Sequence, residues 1–151
     1  MFPESEFFMD VDNRKNNKKF VGKIGEGVAC RFLENKGFSI VGRNYLKKWG
    51  EIDIIAKKAG IIRFVEVKSV SRENIEAISQ NKDENKGSGG SYRPEDNIHP
   101  WKIKRLSRAI NSYLLDNNVP ETTEWQMDLV TVYLSPDLKR AKVFILENIV
   151  L

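Results

Sequence analysis

Asp53, Glu66 and Lys68 are charged residues set inside two mostly apolar segments, 51–56 and 61–70. Charges in such a setting need one another, a metal or a ligand. Carboxylates are hard oxygen donors suited to Mg²⁺ or Mn²⁺, ions that keep waters and accept a phosphate oxygen as a further ligand. A lysine two residues after such a ligand on one strand can orient or help deprotonate a water and stabilise charge building on a phosphate. These parts suffice for phosphodiester hydrolysis. The alternative is a solvated cross-strand ion network that contributes little stability, and the three residues alone favour neither reading.

The elements that must position them follow from periodicity. With Ala59-Gly60 as a two-residue loop, Lys58 faces Ile61 and the same register places Asp53 opposite Glu66. Alternation puts Glu66 and Lys68 on one face with Ile62 and Phe64, while Val65 and Val67 point the other way. Large apolar residues on both faces predict a central strand. Ahead of this hairpin, Phe20, Val21, Ile24, Val28, Ala29, Phe32 and Leu33 recur at helical spacing, with Gly37 at the C-cap position. Glu26 lies at the margin of that apolar face, beside Ala29 and Leu33, and can look toward the sheet; helix geometry alone favours an ordinary boundary glutamate. Phe38 to Val41 alternates briefly before a basic stretch, Asn44 to Lys48. Pro100 opens a second helix with Ile103, Leu106, Ile110, Tyr113 and Leu114 on one face, closed by Asn117-Asn118-Val119-Pro120. Segments 125–133 and 141–146 read as two more strands around Ser135-Pro136-Asp137. Helix, strands, helix, strands around one sheet is an α/β or α+β sandwich whose strand order is not legible in the pattern.

The chain has 151 residues, 40% of them hydrophobic and 30% charged, which predicts one folded domain. We place it at 20–151, after a polar arm at 1–19 and with a long turn-rich flap at about 71–99. The net charge of +4 tilts toward an anionic partner. One cysteine, Cys30, cannot form an internal disulfide, which makes the cytoplasm the default location. The sole histidine, His99, is far from it in sequence, so inert packing is expected of the thiol. The acidic residues Glu4, Glu6, Asp10 and Asp12 argue against a signal peptide, and no run approaches a membrane span.

Gly50-Glu51-Ile52-Asp53-Ile54-Ile55-Ala56 followed by Phe64-Val65-Glu66-Val67-Lys68 resembles the YraN-like family of small proteins. The resemblance extends to Gly25-Glu26-Gly27-Val28-Ala29, Arg43-Asn44, Pro100-Trp101-Lys102 with Arg105-Leu106, and Met127-Asp128-Leu129-Val130. That family is similar in its core to archaeal Holliday-junction resolvases and PD-(D/E)xK nucleases. The resemblance therefore implies a restriction-endonuclease-like core, a central mixed β-sheet flanked by helices. It further implies a Mg²⁺ or Mn²⁺ site built from Asp53, Glu66 and Glu26, with Lys68 completing the catalytic set and Lys102 approaching from the second helix. Asp128 matches a family position too, but it can cap or pair with a basic residue instead of binding metal, and it stays outside the catalytic set. After Lys68 the chain carries Ser69, where the family often has another polar residue followed by Arg.

The expected function is a metal-dependent nuclease acting on DNA, by the analogy with resolvases, with a homodimer implied on the same ground. Lys102, Arg43, Lys48 and Arg105 are the candidate nucleic-acid contacts, with Lys47, Arg93, Lys104 and Arg108 as further cations and Trp49, Tyr92 and Trp101 able to stack on exposed bases. The alternatives are a noncatalytic nucleic-acid-binding module on the same fold, or a protein-interaction scaffold whose flap folds on a partner.

Overall fold

The computed structural model describes residues 17–78 and 99–149. Its elements are α1 (Asn17–Asn35), β1 (Ser39–Lys47), β2 (Gly50–Lys58), β3 (Ile61–Ser71), a single 3₁₀ turn (Ile75–Ala77), α2 (Pro100–Asp116), β4 (Trp125–Leu134) and β5 (Ala141–Leu146). The strands form one five-stranded sheet in the order β1-β2-β3-β4-β5. Only β3 and β4 run parallel, joined through α2, and the other neighbours are antiparallel. This is a mixed sheet flanked by helices, the α/β arrangement expected of a restriction-endonuclease-like core.

The two helices cover opposite faces. Val28, Ala29, Cys30 and Leu33 of α1 close a core with Ile54, Ala56, Val65, Val130 and Val132. Leu106, Ala109 and Ile110 of α2 close a second with Ile55, Ile62, Phe64 and Met127. β3 is buried from both sides, which is why its sequence shows no clean alternation of apolar and polar residues. Cys30 belongs to the first core, and burial pushes its thiol pKa up, so packing is its role here.

Both helices stop in the same way. At the end of α1, Gly37 takes φ 89° and Phe38 N–H donates to the Leu33 carbonyl. At the end of α2, Asn118 takes φ 49° and Val119 N–H donates to Leu114. Each left-handed residue satisfies the last carbonyls and returns an apolar side chain to the core.

The hairpin of β2 and β3 has the expected register, Lys58 opposite Ile61 and onward to Ile54 opposite Val65. Ala59 and Gly60 both have positive φ, 51° and 76°, the type I′ geometry that fits the twist of the strands. An alanine there carries a steric cost that asparagine largely avoids. Ala59→Asn should raise stability by about 0.5–1 kcal/mol, read as a higher urea midpoint at unchanged slope; an unchanged or lower midpoint contradicts this.

Two expectations are corrected. Asn17, Lys18 and Lys19, assigned to the arm, are the first residues of α1; residues 1–16 lie outside the described ones. The basic stretch Asn44 to Lys47 is not a break after a short strand but the second half of β1. It is an edge strand, interrupted by a bulge between Ile40 and Gly42 and by Asn44 at φ 52°. Bulges and charges are what an exposed edge carries to resist pairing with another chain. Of the flap, only its two ends are described, and 79–98 lie outside the described residues.

Candidate active site

The β2–β3 ladder ends one step short of the pair that would join Asp53 to Glu66. There the Asp53 side chain replaces a ladder partner, its Oδ2 accepting the Val67 N–H at 2.8 Å. Alternation directs Glu66 with Phe64 to the face covered by α2. Asp53 lines the cleft on that face too, at the point where the alternation of β2 breaks, Ile52 and Ile55 both packing in the α2-side core. The two carboxylates thus flank the point where β2 and β3 part, beneath the first turns of that helix.

They line a cleft of about 210 Å³ together with Gly50, Glu51, Trp101, Lys102, Arg105 and Leu106. The Lys102 ammonium pairs with Glu66 Oε1. Partial burial works against its charge, but the Glu66, Asp53 and Glu51 carboxylates outweigh that and its pKa is raised. A second cleft is lined by Lys19, Gly22, Lys23, Glu26, Arg43, Asn44 and Glu51. Glu51 borders both.

Electrostatics tie the two clefts together. Burial first, then the charge of Glu66, and more weakly Glu26 and Glu51, push the Asp53 pKa up to about 8, against the pull of the Val67 N–H. Glu26 is raised by burial and by Glu51, with Arg43 and Asn44 acting in the opposite sense. With its amide oriented to satisfy both neighbours, Asn44 donates to Glu51 Oε1 at 3.2 Å and to Glu26 Oε2 at 3.1 Å. Its left-handed backbone conformation, tolerable for asparagine, aims the amide between them.

Of the sequence candidates, Glu26, Asp53 and Glu66 therefore act on one another, and Lys102 and Arg105 border the same cleft as the last two. Lys68 is half-buried on β3 opposite Thr131, on the Glu66 face by alternation, but lines neither cleft. Arg43 borders the second cleft and Lys48 is exposed in the turn between β1 and β2. Arg93 and Tyr92 lie outside the described residues. Sequence reasoning missed Glu51 and Asn44. Glu51 was detectable, since it precedes Asp53 by two residues on one strand and so shares its side. Asn44 was quoted only as part of a motif, and its conformation has no signal in the pattern.

Asp128 has a different use. Fully buried, it accepts from Arg63 Nη1 at 3.0 Å, Gln126 Nε2 at 2.9 Å and Asn148 N at 2.9 Å. It is the partner of a basic residue, the alternative left open by the sequence.

Gly50 sets the distance between sheet and helix. A Cβ there would sit against the Arg105 carbonyl group, 2.9 Å from its carbon. The same junction is fastened by Arg105 Nε donating to the Trp49 carbonyl at 3.2 Å and by Trp49 Nε1 donating to Ser112 Oγ at 2.9 Å. Because the clash is with backbone, relief requires α2 to move away from Asp53 and Glu66. Gly50→Ala should cost about 1–3 kcal/mol in urea denaturation; a loss below about 0.5 kcal/mol would show that the helix yields freely.

The donor set fits a hard divalent cation in kind: oxygen only, several carboxylates, and an Asp53 whose pKa is pushed up to about 8 by burial and by the charge of Glu66. Among the described residues, no three carboxylate, imidazole or thiol groups are gathered closely enough to hold an ion as they stand. Closure of side chains around the ion would have to complete the cage. No helix among the described residues is long and apolar enough to cross a membrane.

A sequence model of the family described as "Uncharacterised protein family UPF0102" matches residues 25–132. A UPF0102 protein of Helicobacter hepaticus is 34% identical over 135 residues, covering 89% of this chain and 98% of the relative. Another from Campylobacter lari is 35% identical over 128 residues, 85% of this chain and 91% of its own length. A third, from Lachnoclostridium phytofermentans, is 36% identical over 126 residues, covering 83% and 92%.

Proposed function

We propose, from the premise that this chain belongs to the uncharacterised protein family UPF0102, that it is a metal-dependent nuclease hydrolysing phosphodiester bonds in nucleic acid. The observation that carries this is the gathering of four carboxylates, Glu26, Glu51, Asp53 and Glu66, along two adjoining clefts where β2 and β3 stop pairing. Such a cluster is costly in a metal-free protein, and a function that needs the charge is the simplest reason to keep it.

Asp53 and Glu66 would hold Mg²⁺ or Mn²⁺, with Glu26 completing the set directly or through water. When bound, the ion supplies Lewis acidity toward a phosphate oxygen and a water. Lys68, on the Glu66 face of β3, orients the attacking water and stabilises charge on the phosphate. Lys102, paired with Glu66 here, would turn its ammonium to the phosphate and leave Glu66 available as a ligand, an exchange of one anionic partner for another. Arg105, Arg43 and Lys48 hold the flanking backbone. DNA as substrate and a homodimer complete the proposal through the analogy with resolvases, and a cytoplasmic location through the lone cysteine.

One feature favours a second reading, a noncatalytic binding module: Lys102 already neutralises Glu66 without any ion. The two separate on metal dependence. The nuclease reading expects Mn²⁺-dependent cleavage of DNA by the purified protein and a fall of about 10²-fold or more in Lys68→Ala. DNA binding without cleavage at any Mn²⁺ concentration selects the binding module.

A further inference from the structure

Trp101 stands 53% exposed in the first turn of α2, on the wall of the cleft that holds Asp53, Glu66 and Lys102. The other exposed indoles have structural uses: Trp49 is bonded to Ser112, and Trp125 packs edge-on against Phe64 with centroids 5.6 Å apart. Trp101 has polar and cationic company instead. The Arg105 guanidinium lies 5.8 Å from its ring centroid, and the His99 ring is tilted 44° to it at 6.0 Å.

Arg105 is itself held in place, its Nε tied to the Trp49 carbonyl. An indole and a guanidinium are therefore presented together, beside a lysine and two carboxylates. Either flat group can stack on a nucleobase, and neither reads its edges, so the contact is tolerant of sequence. In a continuous duplex both faces of each base are already covered by neighbours, so an indole can meet a base face only where the nucleotide is unstacked.

Resting on the nuclease reading above, we propose that Trp101 and Arg105 form a stacking platform for an unpaired nucleobase next to the phosphate held in the cleft. The substrate class is then a strand with unpaired nucleotides, and an uninterrupted duplex is the poorer ligand.

The test is intrinsic fluorescence of the full chain in EDTA, titrated with a short oligothymidylate and, separately, followed by anisotropy with a labelled blunt duplex. Oligothymidylate should quench the wild type, and Trp101→Phe should keep its affinity while losing most of the quenching. By anisotropy, Trp101→Ala should bind the single strand about tenfold more weakly and the duplex within about twofold of wild type. Equal weakening for both ligands, a loss under about twofold for the single strand, or no quenching of the wild type overturns the platform. Mn²⁺-dependent cleavage, run in parallel, keeps the two claims apart. Wild-type cleavage whose preference between strand forms is unchanged in Trp101→Ala overturns the platform and leaves the nuclease. A selective single-strand binding defect without wild-type cleavage supports the platform and removes the nuclease.

Discussion

In buffer free of divalent cations, Asp53→Asn should melt at the same temperature as the wild type near pH 4 and well above it at pH 9. In the folded protein the Asp53 pKa is pushed up to about 8 by burial and by Glu66, Glu26 and Glu51. In the unfolded chain it returns to about 3.9. Between those values the native state binds the proton and the unfolded state does not, so the wild type loses stability as pH rises through this window and loses no more above it. The full difference is on the order of a few kcal/mol. Asparagine removes the titration but keeps an oxygen to accept the Val67 N–H, so the backbone need not move. Thermal midpoints of both proteins across pH supply the check. Saturating Mn²⁺ should raise the wild-type midpoint more at pH 8 than at pH 6 and should shift the variant little. Parallel pH curves for the two proteins would mean that Asp53 carries no such burden.

The largest stability loss is expected at Asp128, on β4 opposite Val65. Asp128 is fully buried and receives the Arg63 guanidinium together with the Gln126 amide and the Asn148 N–H. Asp128→Ala strands a buried cation, for which about 3–5 kcal/mol is the usual cost. Glu147, at 3.2 Å from Arg63 Nη1 but half exposed, offsets little of this. The bond to Asn148 adds a second consequence, since it ties the chain after β5 back to β4. Where Asp128→Ala yields no folded protein, the double variant Arg63→Met with Asp128→Leu supplies the comparison. Removing both charges should recover most of the loss, because the penalty belongs to the unpaired ion. Urea denaturation of the single and double variants decides it: a single-variant loss under about 1 kcal/mol, or no recovery in the double, would show that the pair behaves as a surface one.

The hairpin was legible down to its register because its turn is short and its apolar pattern strict, and Ala59-Gly60 pairs Lys58 with Ile61 as the pattern requires. Where that register stops was not legible. Nothing in the residue types of Asp53 and Glu66 says that the strands part before them and that Asp53 bonds to Val67 instead. The second half of β1 was hidden because an edge strand is selected for charges and irregularities that resemble a loop. Gly50 and Gly25 stood out as motif residues, but their reason is tertiary: a side chain at Gly50 would strike the Arg105 carbonyl, and one at Gly25 would strike Ser69. Asp128 illustrates the converse, a motif carboxylate whose partners, Arg63 and Asn148, are 65 and 20 residues away in the chain. Long-range pairing of that kind leaves no local trace.

The most direct test of the proposed function sets the wild type beside Asp53→Asn and Glu66→Gln, each confirmed folded by its thermal midpoint, on single-stranded, duplex and four-way-junction DNA. Each reaction is run with Mn²⁺ and with EDTA. Cleavage by the wild type in Mn²⁺ alone, lost in both variants while DNA is still bound, is the predicted result. Cleavage that survives in either variant, or that persists in EDTA, would contradict a metal site at Asp53 and Glu66.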